Sequence, residues 1–329
     1  MLKLFLKKIN SSLGTYAKFP LPYIIPVYHC VSNEHLPHIK HIINYKNTKD
    51  FEADLDDMLK KFEFVPWDFF KDHYNKPAQK PYALLTFDDG FYEFKEVVIP
   101  ILLRKGIYAI NFINPAFTDN SDMMFRLKAS LIIEKMKDKN YCIPEPVLSQ
   151  LRLKENNKNK AISSIHAIRY ENRGQLEQLG QMMDLDFKEY RTGRKIYMDT
   201  DDLKSVQQQG FGIASHSWDH PYFAHLPLEE QLHNIRRSLS YIKENGLLEE
   251  CFAFPFTDFG LTEELFIKLF DENETLRLTF GTAGVKLDGF EKNLQRIPME
   301  NGLSAEREIH FETNYFQLKK IFNKNTIAR

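Results

Sequence analysis

Short apolar runs alternate with amphipathic stretches along most of the chain. Residues 23–29, 82–87, 108–113, 211–214, 251–254, 278–281 and 294–297 read as short buried strands. Between them, 48–62, 92–105, 203–209, 228–245, 261–270 and 305–322 carry the spacing of amphipathic helices. Thr48 is the expected N-cap of the first helix, and Gly106 and Gly246 are expected to stop two others. Strands alternating with helices predict an α/β architecture built on a parallel sheet, open or closed into a barrel.

Residues 115–200 interrupt that rhythm. They are polar and helix-rich, with Lys and Asn concentrated at 152–160 and one weak strand pattern at 195–198. The expected organisation is therefore an N-terminal amphipathic segment over 1–20 and one domain over 21–329, the latter with a helical insertion at about 115–200. Within the first segment Leu2, Phe5, Leu6, Ile9 and Leu13 share a helical face, while Lys3, Lys7 and Lys8 break any signal-peptide core. That face suits either docking on the domain or an in-plane contact with an anionic membrane surface. The expectation is a cytoplasmic protein, peripheral at the inner face of the membrane in the second case.

With 44 basic and 45 acidic side chains, the chain has no general basic field for a nucleic-acid backbone. Three scattered cysteines, Cys30, Cys142 and Cys251, argue against a disulfide framework. The unusual load is aromatic, with 27 Phe and 15 Tyr, and it raises the question of which rings pack a core and which line a groove.

The chemistry concentrates after two strands. Asp88 and Asp89 end one of them ahead of Gly90, where the chain can turn and point both carboxylates at the strand's C-terminal end. Adjacent carboxylates in one pocket need a cation or a shared proton between them. His216 and His220 follow the strand at 211–214, and their i, i+4 spacing places them on one face of a helical turn. Two imidazoles and a carboxylate form a three-ligand set that leaves a metal open to water. Taken separately, a solvated turn and a surface histidine pair remain open readings.

Together, Thr86-Phe87-Asp88-Asp89-Gly90 and His216-Ser217-Trp218-Asp219-His220 resemble the first two motifs of NodB-type polysaccharide deacetylases (carbohydrate esterase family 4). The resemblance implies a distorted (β/α) barrel of about seven strands. It also implies that Asp88 is the general base and that Asp89, His216 and His220 hold one divalent metal ion, zinc or another first-row dication. The third motif departs from the family, because Ala253 stands where an arginine orients the base, followed by Phe254-Pro255-Phe256. Arg296, in Gln295-Arg296-Ile297-Pro298, is the candidate replacement, and Pro255, Phe256, Trp218 and Arg296 are the candidates to contact substrate. Backbone N–H groups of Phe91 or Phe256 are candidate oxyanion donors.

No late Leu-x-His motif supplies the general acid. His310 lies in a helical pattern that reads as exposed, whereas His29 ends the first strand in Tyr28-His29-Cys30-Val31. This resembles the branch of the family that carries Tyr-His-x-Val near the N-terminus, so His29 is the candidate acid. His35, His38 and His41 read as a solvated loop. The expected activity is metal-dependent removal of N-acetyl groups from a sugar in a surface polysaccharide or its precursor. The expected partner is an N-acetylated glycan, neutral rather than polyanionic, with no nucleic acid. A non-catalytic glycan-binding module and a hydrolase of a non-sugar amide on the same scaffold are the alternatives.

Overall fold

A computed structural model describes residues 18–329, so the amphipathic face at 2–13 lies outside the described residues. Eight parallel strand segments form one sheet: β1 (Pro26–Tyr28), β2 (Leu85–Asp88), β3 (Ala109–Ile113), β4 (Gly212–Ser215), β5 (Cys251–Ala253), β6 (Leu278–Gly281), β7 (Asn293–Gln295) and β8 (Ile297–Pro298). In space the order is β7-β6-β5-β4-β3-β2-β1-β8. The edge strands β7 and β8 are consecutive in the chain, separated by Arg296 alone. There the backbone changes partner: the Arg296 N–H donates to Gly281 of β6 at 3.0 Å, and the Ile297 N–H to Ile25, just before β1, at 2.9 Å. The sheet thereby curls into a nearly closed barrel, and β7 and β8 count as one interrupted strand. Seven strand positions result, as the resemblance implied.

Side chains alternate across each strand. One set, including Ile25, Leu84, Ile110, Phe112, Ala214, Ala253, Phe280 and Leu294, fills a single buried cluster. The opposite set, among them Tyr28, Leu85, Phe87, Ala109 and Ile213, packs against the surrounding helices. The helices at Leu228–Glu244 and Glu263–Glu272 cover Phe252 and Phe254. The expected strand at 23–29 divides, because Tyr23–Ile24 leaves the barrel to pair with Tyr82–Ala83 in a separate three-stranded sheet. The first helix, Thr48–Lys61, is capped one residue earlier than expected: the Asn47 side chain accepts from the Asp50 N–H.

Between β3 and β4 the chain forms helices at Phe125–Lys137, Glu145–Gln150, Lys158–Ala167, Gly174–Met182 and Phe187–Thr192. Residues 195–198 are not a strand; Tyr197 makes a single antiparallel bridge to Phe91. These helices share a buried cluster with Leu36 and Ile39, which follow β1. That packing sets the helical segment against the loop after β1, beside the C-terminal ends of β1 and β2. Among the described residues no helix is long and apolar enough to cross a membrane.

Candidate active site

The site is assembled where strands end. Asp88 is the last residue of β2, and Asp89 adopts φ +75°, a left-handed conformation uncommon for a residue with a Cβ. Gly90 continues the turn at φ +71°, and a Cβ there would lie 3.0 Å from Ile113 Cγ2. This turn lets two consecutive carboxylates face one cavity, which regular strand geometry forbids. Ser217 at φ +76°, His220 at +60° and Phe256 at +55° are left-handed as well, so backbone strain collects around the same cavity.

Asp88 and Asp89 are both buried, yet their partners differ. The Arg296 Nη1 and Nη2 donate to Asp88 Oδ1 and Oδ2 at 2.7 and 2.8 Å, a two-pronged pair inside the barrel beside Phe112. Burial alone would push the Asp88 carboxyl up; the Arg296 guanidinium and nearby His216 outweigh it and hold it below the usual carboxylate range. Asp89 Oδ1 instead lies 3.2 Å from His220 Nε2 and 3.7 Å from His216 Nε2. Burial opposes ionisation of Asp89 too, and the His220 and His29 imidazoles reverse that effect.

His216 Nδ1 donates to the Ala253 carbonyl at 2.8 Å, which leaves Nε2 with its lone pair directed at the carboxylates. Burial lowers the His216 pKa to about 4, so the ring is neutral and ready to ligate. The His216–His220 segment is a loop and not the helical turn that i, i+4 spacing suggested; positive φ at Ser217 and His220 brings the rings to 5.1 Å. Asn114, after β3, secures that loop by donating Nδ2 to the carbonyls of His216 and Ser217 at 2.5 and 3.1 Å.

Asp89, His216 and His220 each offer a ligand atom, all within 4.8 Å of one another. Asp89 Oδ1 is buried without a hydrogen-bond partner. Ligands about 2.0–2.1 Å from a tetrahedral ion lie roughly 3.4 Å apart, close to the 3.2 and 3.7 Å found here. The residues present fit a dication.

The cavity has a volume of about 290 Å³, and His29 stands on its wall with Asp88, Asp89, His220 and Phe256. Glu300, two residues beyond β8, accepts from the backbone N–H groups of His29 and Cys30 at 3.0 Å each and sits 2.6 Å from His29 Nδ1. Burial pushes the His29 pKa down, but Glu300 overcomes it and raises the value to about 9. Residues 29 and 300 are 271 positions apart, and no motif marks Glu300 in the sequence; only the adjacency of β1 and β8 reveals it.

Several candidate contacts are placed elsewhere. Arg296 is fully buried behind Asp88 and cannot meet a substrate; its position suits the orienting role that Ala253 vacates. Trp218 lines a neighbouring hollow of about 380 Å³ under the Arg237 guanidinium, and Pro255 is buried outside the cavity lining. Phe256 does line the cavity, stacked 3.8 Å from Tyr222. Phe91 is buried against Tyr197, away from the lining. His310 is buried on the closing helix, where an exposed position was expected. His35 and His41 both contact Glu134 of the Phe125–Lys137 helix, and His38 is buried against Tyr190; His35 is exposed as expected, whereas His38 and His41 pack into the loop.

Residues 181–260 match the polysaccharide deacetylase family, a span that includes His216, His220 and the Phe254–Phe256 turn. A comparison with curated proteins finds no match. Among solved structures, the fold is similar to the deacetylase PplD of Streptococcus pyogenes, solved in complex with acetate (TM-score 0.55, 15% identity, 88% of this chain and 97% of that one). It is likewise similar to IcaB of Ammonifex degensii (TM-score 0.55, 14% identity, 90% and 98%). A polysaccharide deacetylase from Bacillus cereus aligns at TM-score 0.52 and 12% identity over 88% of this chain and 68% of that one. The family match is confined to residues 181–260, and over most of the rest of the chain the likeness to these solved structures is one of fold.

Proposed function

We propose that this protein is a metal-dependent hydrolase that removes the N-acetyl group from a sugar. The observation that carries the reading is the unequal treatment of two adjacent buried carboxylates: both Asp88 oxygens are taken by the Arg296 guanidinium, with His216 Nε2 3.5 Å from Oδ2, while Asp89 has no such cation and its Oδ1 lies between His220 and His216. One is thus reserved for proton transfer and the other for ligation.

A dication held by Asp89, His216 and His220 would supply the Lewis acid that acidifies a water and polarises the acetyl carbonyl. Asp88, kept ionised by Arg296, accepts the proton of the attacking water. The backbone N–H of Phe256 is a donor for the oxyanion that develops on the carbonyl oxygen. His29, kept protonated by Glu300, then gives its proton to the amide nitrogen as the C–N bond breaks. The products are acetate and the free amino sugar, with protons balanced between Asp88 and His29. The cavity lies at the lower end of small-molecule site sizes, which suits a single acetamido sugar residue.

The Arg296–Asp88 pair supports a catalytic reading over a non-catalytic binding module, because it supplies an arginine contact that Ala253 cannot make. Acetate release from a panel of N-acetylated saccharides tests the reading. Release from N-acetylhexosamines is expected; release confined to N-acetylated amines that are not sugars would replace the substrate class.

A further inference from the structure

The catalytic cavity carries a charge that the proposed deacetylation does not use. Arg126, the second residue of the Phe125–Lys137 helix, lines the cavity together with Asp88, Asp89 and His29. Its Nη1 donates to the His166 carbonyl at 2.9 Å, and its guanidinium carbon lies 5.0 Å from the Phe125 ring centre and 5.9 Å from that of Phe256. Among the described residues it forms no ion pair with a carboxylate, and the helix's first turn holds no acidic side chain.

The other charges around the cavity are already matched. Asp88 is balanced by Arg296, His29 by Glu300, and Asp89 by the cation it would share with His216 and His220. Arg126 faces a cavity whose remaining wall is mostly apolar, with Ile42, Ile43, Met124 and Leu127, and whose one hydroxyl, on Thr282, already donates to the Phe256 carbonyl. In such surroundings a charge interacts more strongly than in water, and an unpaired one is costly once substrate expels solvent. A neutral sugar would leave that cost standing. An anion would remove it, because the planar guanidinium retains free N–H groups that match a carboxylate or phosphate.

We propose that Arg126 is a specificity residue, and that the substrate is an N-acetylated sugar bearing an anionic group, carboxylate or phosphate, close to the acetamido-bearing ring. This rests on the deacetylase reading and replaces the neutral substrate expected from the chain's overall charge. The apolar neighbours fix the cation, and the catalytic groups across the cavity fix where the acetamido group sits, so the anion belongs on the side of the sugar facing the helical segment.

The test compares acetate release by the metal-supplied protein from N-acetylglucosamine and chitobiose, which are neutral, with release from N-acetylglucosamine 1-phosphate and N-acetylmuramic acid. Wild-type kcat/KM should be higher on at least one anionic sugar, and the two anionic arms distinguish phosphate from carboxylate. Arg126→Met should lower kcat/KM on the preferred anionic sugar by about 10- to 100-fold, mainly through KM, while neutral sugars change by less than about twofold. Arg126→Lys should fall between, keeping the charge without the fork. Added salt should weaken the anionic substrates selectively. Equal loss on both classes would mean that Arg126 only braces the helix against Phe256, and no loss on either, or acetate from neutral sugars alone, would equally overturn the proposal. Acetate from none of the four would overturn the deacetylase reading together with this inference, whereas release without anion preference would overturn the inference alone.

Discussion

Replacing Arg296 by Met removes the charge that sustains Asp88 while keeping an apolar stem against Phe112. The pair is fully enclosed, with side-chain exposures of 0% and 2%, so the lone Asp88 carboxylate cannot recover its hydration. Breaking a buried ion pair from one side costs about 3–5 kcal/mol. Unfolding entropy of roughly 2.1 cal/mol/K per residue over 329 residues gives about 0.7 kcal/mol/K. Metal-free Arg296→Met should therefore melt about 4–7 °C lower in a calorimetric scan. Asp88→Asn strands the guanidinium and should also destabilise. The double variant should be more stable than the two single losses predict, by about 2–3 kcal/mol, since neither charge is left unpaired. In the metal-supplied enzyme Arg296→Met should lower kcat about 100-fold with little change in KM, because the base loses its orientation. A melting shift under about 1 °C, with additive effects in the double variant, would show that the pair does not hold the base.

Four further outcomes follow from the same geometry. His29 protonation contributes stability that is fully present below about pH 6.5 and is lost as pH rises through about 9, and the basic limb of kcat/KM should lie near that upper value. Glu300→Gln removes the raising influence, so this limb should move toward or below about 6.5; an unmoved limb assigns the acid role elsewhere. Asn114→Ala should weaken metal affinity by about 10- to 100-fold in a chelator competition, because the carbonyls of His216 and Ser217 lose their anchor, and undiminished affinity would contradict that role. Gly90→Ala forces a Cβ into a left-handed turn and against Ile113, so it should cost about 1–3 kcal/mol in denaturant unfolding, and a neutral effect would deny that the Asp-Asp-Gly turn is conformationally constrained.

Much of this site was legible because its candidate ligands follow strand ends that the apolar runs mark. Asp88, Asp89, His216 and His220 converge because β2 and β4 both flank β3 and run parallel to it. The separation of the 23–29 run into two sheets was not legible, since both halves are equally apolar and differ only in their partners. Spacing misled at His216–His220, where a loop with left-handed residues achieves what a helical turn would. Arg296 could be nominated from its place after a late strand, but its direction could not: a strand pattern does not reveal that the chain changes partners at that residue and turns the side chain inward. Glu300 and Arg126 carry no motif, and their relevance arises only from tertiary adjacency. The aromatic load divides in the same way. Phe87, Phe91 and Phe254 are core, Phe256 faces the cavity over Tyr222, and Phe259 is exposed.

The central claim is that Asp88 acts as a base beside a dication held by Asp89, His216 and His220. Its most direct test measures acetate release and bound divalent metal together on the same samples. Wild type should lose acetate release on chelation and regain it when a dication is restored, and Asp88→Asn should bind metal near one equivalent yet release no acetate. Undiminished release by chelated wild-type protein, or by metal-loaded Asp88→Asn, would contradict the account.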